Sequence, residues 1–259
     1  MKGHMAYLRI KRAVESNKEC FLCALEDELE RKYIDTYLYE LVMDPKSREQ
    51  IIKSRGFCNN HSYKMFMAAS KPESSDGHGL ALVLTSVTEK FIGDLRGQGK
   101  LSSGHTGQVV PNITTCPACL HLSYFMETYT TLIVEFLASG HEDFSKLLKS
   151  SKGFCIPHFV ALLQMAEKAP SDKFPAIVET IIKVEEKNLG RLNSELGEYV
   201  RRQSYEFSDK DRAACGDVVL RGVEKVAGRR GIILLNDGVN SSKGFGRWRI
   251  RLVSGLRPK

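Results

Sequence analysis

The chain has 259 residues with 42% hydrophobic and 27% charged side chains, enough for one large or two smaller packed domains. The formal charge of +7 is uneven: residues 221–259 carry +8 and the other 220 carry −1, so overall basicity is no evidence that the body binds nucleic acid. No apolar run of about 18 residues predicts a transmembrane helix, and Met1 to Ile10 lacks the apolar core of a secretory signal.

From Cys23 onward, Leu25, Leu29, Tyr33, Tyr37 and Leu41 recur every four residues and predict a helix. Glu26, Asp27, Glu28, Glu30 and Arg31 read as its solvated face. Asp44-Pro45 stops that helix, because proline lacks a donor and restricts the residue before it. A short helix over Arg48–Ser54 ends at Gly56, and another covers Cys58–Ala69. A fourth covers Gly79–Leu95, with Leu80, Val83, Leu84, Val87 and Phe91 as its stripe. Residues 97–112, rich in Gly and Ser, form the expected linker. Further helices are expected over Leu120–Ala138, Phe144–Ser151, Cys155–Lys168, Phe174–Arg202 (stripe Ile177, Ile181, Val184, Leu189, Leu192 and Leu196) and Arg212–Val226. No strand is expected before residue 228.

The seven cysteines are Cys20, Cys23, Cys58, Cys116, Cys119, Cys155 and Cys215. An odd count without a secretion signal argues against a disulfide framework and for metal or redox chemistry. Cys20/Cys23 map onto Cys116/Cys119 at an offset of 96, and Cys58/His61 onto Cys155/His158 at 97. Ser54-Arg55-Gly56-Phe57-Cys58 matches Ser151-Lys152-Gly153-Phe154-Cys155, and Tyr33 matches Tyr129. The period is too long for a solenoid repeat and reads as two copies of one module.

Ligands at i and i+3 on a helix's first turn point the same way. Cys20/Cys23 can therefore face Cys58/His61, and Cys116/Cys119 can face Cys155/His158, each set closing a tetrahedron of three thiolates and one imidazole. Helix N-termini also stabilise thiolates. Closure within a copy is feasible: the helix after Cys20 runs roughly 33 Å, and the 16 steps from Val42 to Cys58 reach roughly 50 Å when extended. Zinc fits three Cys and one His with no open position, and a [4Fe–4S] cluster on thiolates is the alternative. A thioredoxin-like dithiol is not expected, since no βαβ pattern surrounds either motif.

Other candidates read more plainly. His78, His105, His121 and His141 lack repeat partners and are expected at the surface or in packing, with His121 close enough to Cys119 to act behind a ligand. Cys215 reads as a small core residue. Glu26 and Glu30 lie one turn apart as an acid–base pair would, but a solvated face is the simpler expectation. In the tail, Arg229, Arg230, Arg247, Arg249 and Arg251, with Trp248, could contact a phosphate backbone.

These pieces together resemble the prokaryotic family catalogued as domain of unknown function 6062. The matching segments are Cys20-Phe-Leu-Cys23, Gly56-Phe57-Cys58-Asn-Asn-His61, Gly79-Leu80-Ala81-Leu82, Cys116-Pro-Ala-Cys119, Ser151-Lys-Gly-Phe-Cys155-Ile-Pro-His158 and Asn188-Leu-Gly-Arg-Leu192, over residues of about 18–228. The resemblance implies membership without implying an activity. Where the family shows a Lys-Phe-Asp-Tyr-like stretch and a Trp before its last helix, this chain has Gln203-Ser-Tyr-Glu-Phe207 and Ala213-Ala-Cys215.

The expectation is an all-α cytoplasmic protein of two tandem helical metal-binding modules (1–96 and 113–228, joined by 97–112) and a basic tail, 229–259. Two structural zinc ions would serve a binding or scaffold protein with a protein partner. An iron–sulfur redox or sensor protein is the second reading, and a nucleic-acid-associated factor using the tail is the third. No nucleophile constellation points to an enzyme, and nothing in the sequence sets the oligomeric state.

Overall fold

The computed structural model describes residues 2–70, 77–97, 116–204, 206–208 and 216–229. Among these every regular element is helical, as expected: α1 (Lys2–Glu15), α2 (Phe21–Thr36) with a π turn (Tyr37–Leu41), α3 (Pro45–Lys53), α4 (Asn59–Ala69), α5 (His78–Gly97), α6 (Pro117–Ala138), α7 (Glu142–Ser150), α8 (Ile156–Ala166), α9 (Phe174–Arg201) and α10 (Val218–Ala227). No helix among the described residues is long and apolar enough to cross a membrane.

Three differences from expectation have physical causes. Asp44-Pro45 starts a helix rather than only ending one. The Asp44 carboxylate accepts the Ser47 N–H at 2.8 Å, and Pro45 takes the first turn, where its missing donor is harmless, so α3 begins three residues before Arg48. Helix α1 was not expected at all, although it buries Ile10 and Ala13 three residues apart. In α9, Leu189 is 39% exposed, whereas Glu185 and Asn188 are buried beside Ile177, Ile181, Val184 and Leu192. That helix serves a polar loop as well as a core.

The chain divides into two compact units. The first joins Met1–Leu25 to Tyr129–Lys259, and the second is Glu26–Thr128. The divisions fall inside α2 and α6. Most of the expected linker, 98–112, lies outside the described residues.

In the first unit α8, α9 and α10 pack against one another, and α1 packs against α7. Tyr7 of α1 meets Phe136 edge-on at 5.9 Å and stacks on His141 at 5.6 Å. In the second unit the core is Ile34, Tyr37, Val42, Ile51, Met65, Ala69, Leu80 and Val83. Helix α5 closes on α3, α4 and the π turn there. Gly79 permits the approach, because a Cβ on it would lie 3.3 Å from Val42 Cγ2.

Candidate metal centres

Each Gly-Phe-Cys segment is a helix-to-helix turn with its glycine at positive φ and a serine hydroxyl bonded back to the preceding helix, although Ser54 is helical and Ser151 extended. After α3, Gly56 N donates to Ile51 O at 2.8 Å, and Arg55 and Gly56 take positive φ of 57° and 101°. After α7, Gly153 takes φ 77°. The Ser54 hydroxyl bonds Ile51 O (3.1 Å) and Gly56 O (3.0 Å), and the Ser151 hydroxyl bonds Leu148 O (2.7 Å) and accepts Gly153 N–H (3.1 Å). The phenylalanine then anchors the turn. Phe57 meets Tyr37 edge-on at 5.0 Å, and Phe154, fully buried, packs on Phe21 at 5.2 Å.

The next residue in each, Cys58 or Cys155, is the N-cap of the following helix, in extended conformation. Cys20 and Cys116 likewise stand immediately before α2 and α6, and their carbonyls accept Ala24 N–H and Leu120 N–H. Every first cysteine of a pair therefore sits at a helix N-terminus. There, unpaired N–H groups and the helix dipole favour negative sulfur.

The eight candidate ligands gather into two groups, but not within each copy of the motif. Site A, in the first unit, consists of Cys20, Cys23, Cys155 and His158. Site B, in the second, consists of Cys58, His61, Cys116 and Cys119. In each, one donor atom per residue lies within 4.8 Å of all the others. The expected facing of Cys20/Cys23 on Cys58/His61, and of Cys116/Cys119 on Cys155/His158, is thus corrected: each Cys-x-x-Cys arm meets the Cys-x-x-His arm of the other copy. Chain length allowed both pairings. The observed one follows from packing, since the turn carrying Cys155 is held by Phe21 beside Cys20.

Both histidines present Nδ1 to three sulfurs. In site A the ring nitrogen of His158 lies 3.5, 3.4 and 3.2 Å from Cys20, Cys23 and Cys155, and Cys23 and Cys155 sulfurs are 3.6 Å apart. In site B the ring nitrogen of His61 lies 3.1, 3.5 and 3.4 Å from Cys58, Cys116 and Cys119, and Cys58 and Cys119 sulfurs are 3.7 Å apart. Burial alone would lower both histidine pKa values. Cys116, Glu30 and Cys58 around His61, and Cys155 and Cys20 around His158, outweigh it and raise both to about 10. Burial would raise the Cys116 thiol, but His61 and the backbone at Cys58 and Cys119 bring it down to about 6. Cys119, buried beside Cys116, rises to about 12. In site A the contact between Cys23 and Cys155 drives Cys23 up, while contacts with Cys20 and Cys23 drive Cys155 down. Sulfurs this close share protons unless a cation replaces them.

Polar groups behind the donors were not foreseen as such. Glu30, expected on a solvated face, is 8% exposed. Its Oε1 lies 3.1 Å from His61 Nε2, out of line for an ideal hydrogen bond, and its Oε2 accepts from Lys64 at 2.5 Å. Glu26 is buried too. Behind site A, Glu185 Oε2 accepts Phe154 N–H at 2.9 Å, and Asn188 donates to Ser151 O at 3.2 Å. Lys225, with no exposed surface, donates to Lys152 O at 2.9 Å and faces Glu185. Glu19, 2% exposed, takes Arg191, Arg221 and Lys152. The available signal was positional: Asn188 and Arg191 belong to the Asn188–Leu192 segment already singled out.

Among the other candidates, His121 lies between Tyr33 and Phe125 at 4.7 Å from each, and burial lowers its pKa. His141 caps α7, its Nδ1 accepting Phe144 N–H at 3.2 Å. His78 is exposed at the start of α5. Arg229 pairs with Glu224 at 3.2 Å. Arg230, Arg247, Trp248, Arg249, Arg251, His105 and Cys215 lie outside the described residues.

No curated protein and no solved structure matches the chain. A family model does, over residues 1–231, which takes in α1 and every candidate ligand as well as the segments that carried the resemblance. The chain belongs to the family of unknown function DUF6062.

Proposed function

We propose that this is a metal-binding protein with two mononuclear Cys3His zinc centres of structural role, in a binding or scaffold protein built from two related helical halves. One observation carries the reading: within each group the four donor atoms lie inside 4.8 Å. A tetrahedral zinc ion with ordinary bond lengths needs sulfurs about 3.8 Å apart and sulfur–nitrogen separations of about 3.6 Å. Sulfur pairs at 3.6 and 3.7 Å and nitrogen–sulfur distances of 3.1–3.5 Å fit one ion with slight expansion. A four-iron cluster places its own iron and sulfide between the thiolates and spreads them more widely, so the geometry favours a single ion. Cys20, Cys23, Cys155 and His158 would hold one ion, and Cys58, His61, Cys116 and Cys119 the other. A zinc ion with four protein ligands supplies a cross-link and leaves no position for substrate.

Elemental analysis of anaerobically purified protein tests the metal, with two zinc and no visible colour expected. Iron with acid-labile sulfide would overturn the zinc assignment. Paired substitutions test the grouping. Cys20→Ser with Cys155→Ser removes donors from one site and leaves one ion, whereas Cys20→Ser with Cys58→Ser removes donors from both. The opposite pattern would restore ligation within each copy.

A further inference from the structure

Helix α10 carries Arg221 and Lys225 one turn apart on one face, and Gly228 follows as its C-cap. All three touch the surroundings of site A. Arg221 Nη1 lies 3.2 Å from Glu19, the buried residue immediately before Cys20. Lys225 donates to Lys152 O and lies 3.1 Å from Glu185 Oε1, whose other oxygen holds Phe154 N–H next to Cys155. Gly228, at φ 74°, lies on the sulfurs themselves: a Cβ there would be 3.3 Å from Cys155 Sγ and 3.9 Å from Cys23 Sγ. The helix thus spans both arms of the site, and Cys23 and Cys155 are 1% and 0% exposed. Cys58 and Cys119 of site B remain half-buried.

We propose that α10 is a strap coupled to the cation of site A: loading that site fixes α10, and docked α10 retains the cation, while site B exchanges independently. This rests on site A being a cation site. A cation draws four donors to a common centre and so holds together the two arms on which Arg221, Lys225 and Gly228 rest. Without it the arms are joined only by the packing of Phe21 on Phe154 and the Lys152–Glu19 ion pair, and the surface under the strap parts more readily. Linkage makes the effect reciprocal, since whatever the cation contributes to docking the docked helix contributes to cation affinity.

The test uses the full chain. Metal content is measured for the wild type, Cys155→Ser (site A) and Cys119→Ser (site B), and hydrogen exchange is followed in the peptide covering 216–229. Cys155→Ser is expected to keep one zinc and to exchange α10 amides at least tenfold faster. Cys119→Ser is expected to keep one zinc with α10 protection unchanged. Should Cys155→Ser fail to fold, zinc titrated into chelator-stripped wild type restores α10 protection as the ions return. In the other direction, Gly228→Val should speed the release of one of the two ions to a chromophoric chelator. One retained ion with α10 unchanged in Cys155→Ser overturns the strap alone, as does equal loosening by both variants. A wild type that binds no cation overturns the metal reading and the strap together.

Discussion

Gly153→Ala tests whether the turn before Cys155 is held by the groups behind it. At φ 77° an added Cβ meets backbone strain of about 1–2 kcal/mol. It would also lie 2.5 Å from Glu185 Oε2, 3.2 Å from Lys225 Nζ and 3.4 Å from Asn188 Nδ2. A free carboxylate would swing aside, but this one is held by Phe154 N–H and Lys225. Displacing it forfeits a buried, charge-assisted hydrogen bond worth about 1.5–3 kcal/mol. Together these predict a loss of about 3–5 kcal/mol, a large fraction of the stability of a typical domain. Gly56→Ala is the matched control in site B. Its φ of 101° is strained as well, but the added Cβ meets only Val87 Cγ1, at 3.9 Å. It should cost only the backbone share, about 1–2 kcal/mol. Urea unfolding at fixed free zinc measures both, because ligand linkage otherwise adds to the apparent stability. Equal losses in the two variants would show that Glu185 yields freely and that the buried polar group does not hold the turn.

Glu30→Gln should weaken zinc binding at site B by about 10–100-fold, as expected for a carboxylate behind a metal-bound histidine, and leave site A unchanged. Chelator competition on the two-site protein reads this as a shift in one of two binding steps, and a shift in neither would remove Glu30 from the site. Because the metal-free histidines sit at about 10, both carry a proton at pH 7.5, and each incoming ion must displace it along with thiol protons. Calorimetric enthalpies should therefore differ between buffers of different ionisation enthalpy, and buffer-independent enthalpies would contradict that protonation. Phe154→Ala, at a fully buried ring packed on Phe21, should cost about 3–5 kcal/mol by urea unfolding, and a loss below about 1 kcal/mol would show that the ring does not anchor the turn.

The ligands were legible in the sequence because their spacing is dictated by local geometry. A ligand just before a helix and another three residues on, in its first turn, converge whatever the fold, and the glycine before each Phe-Cys takes positive φ in both turns. Helix order was legible for a similar reason, since the four-residue recurrence after Cys23 or Phe174 states a period directly. The buried charges were not legible. Glu185 and Lys225 fall at helical spacing on the buried faces of α9 and α10, and Glu30 lies one turn before the buried Ile34, but a charged side chain reads as solvated until its partner is in view. Only the arrival of His61 or of the Cys155 turn makes them interior. Helix α1 escaped notice because Ile10 and Ala13 are too few to announce an apolar face among Lys2, Arg9, Lys11 and Arg12.

Pairing across the copies was hidden for a quantitative reason, and it leads to a last prediction. Within copies the chain would close gaps of 35 residues (Cys23 to Cys58) and 36 (Cys119 to Cys155). The observed sites close 55 (His61 to Cys116), nested inside 132 (Cys23 to Cys155). Closing site B first shortens the outer loop to about 75, and loop entropy then favours the within-copy arrangement by about 1 kcal/mol. So small a bias cannot fix the outcome at equilibrium, where Phe21 on Phe154 and the contacts of Glu185 and Lys225 act only in the observed pairing. In an unfolded chain, however, those contacts are absent and the bias acts alone, about fivefold toward the wrong partner. Zinc added before refolding should therefore trap within-copy ligation and slow the recovery of native signal, whereas zinc added after collapse should not. Stopped-flow refolding with early and late addition distinguishes the two. A rate that ignores the order of addition would mean that helix packing selects the partner before any ion binds.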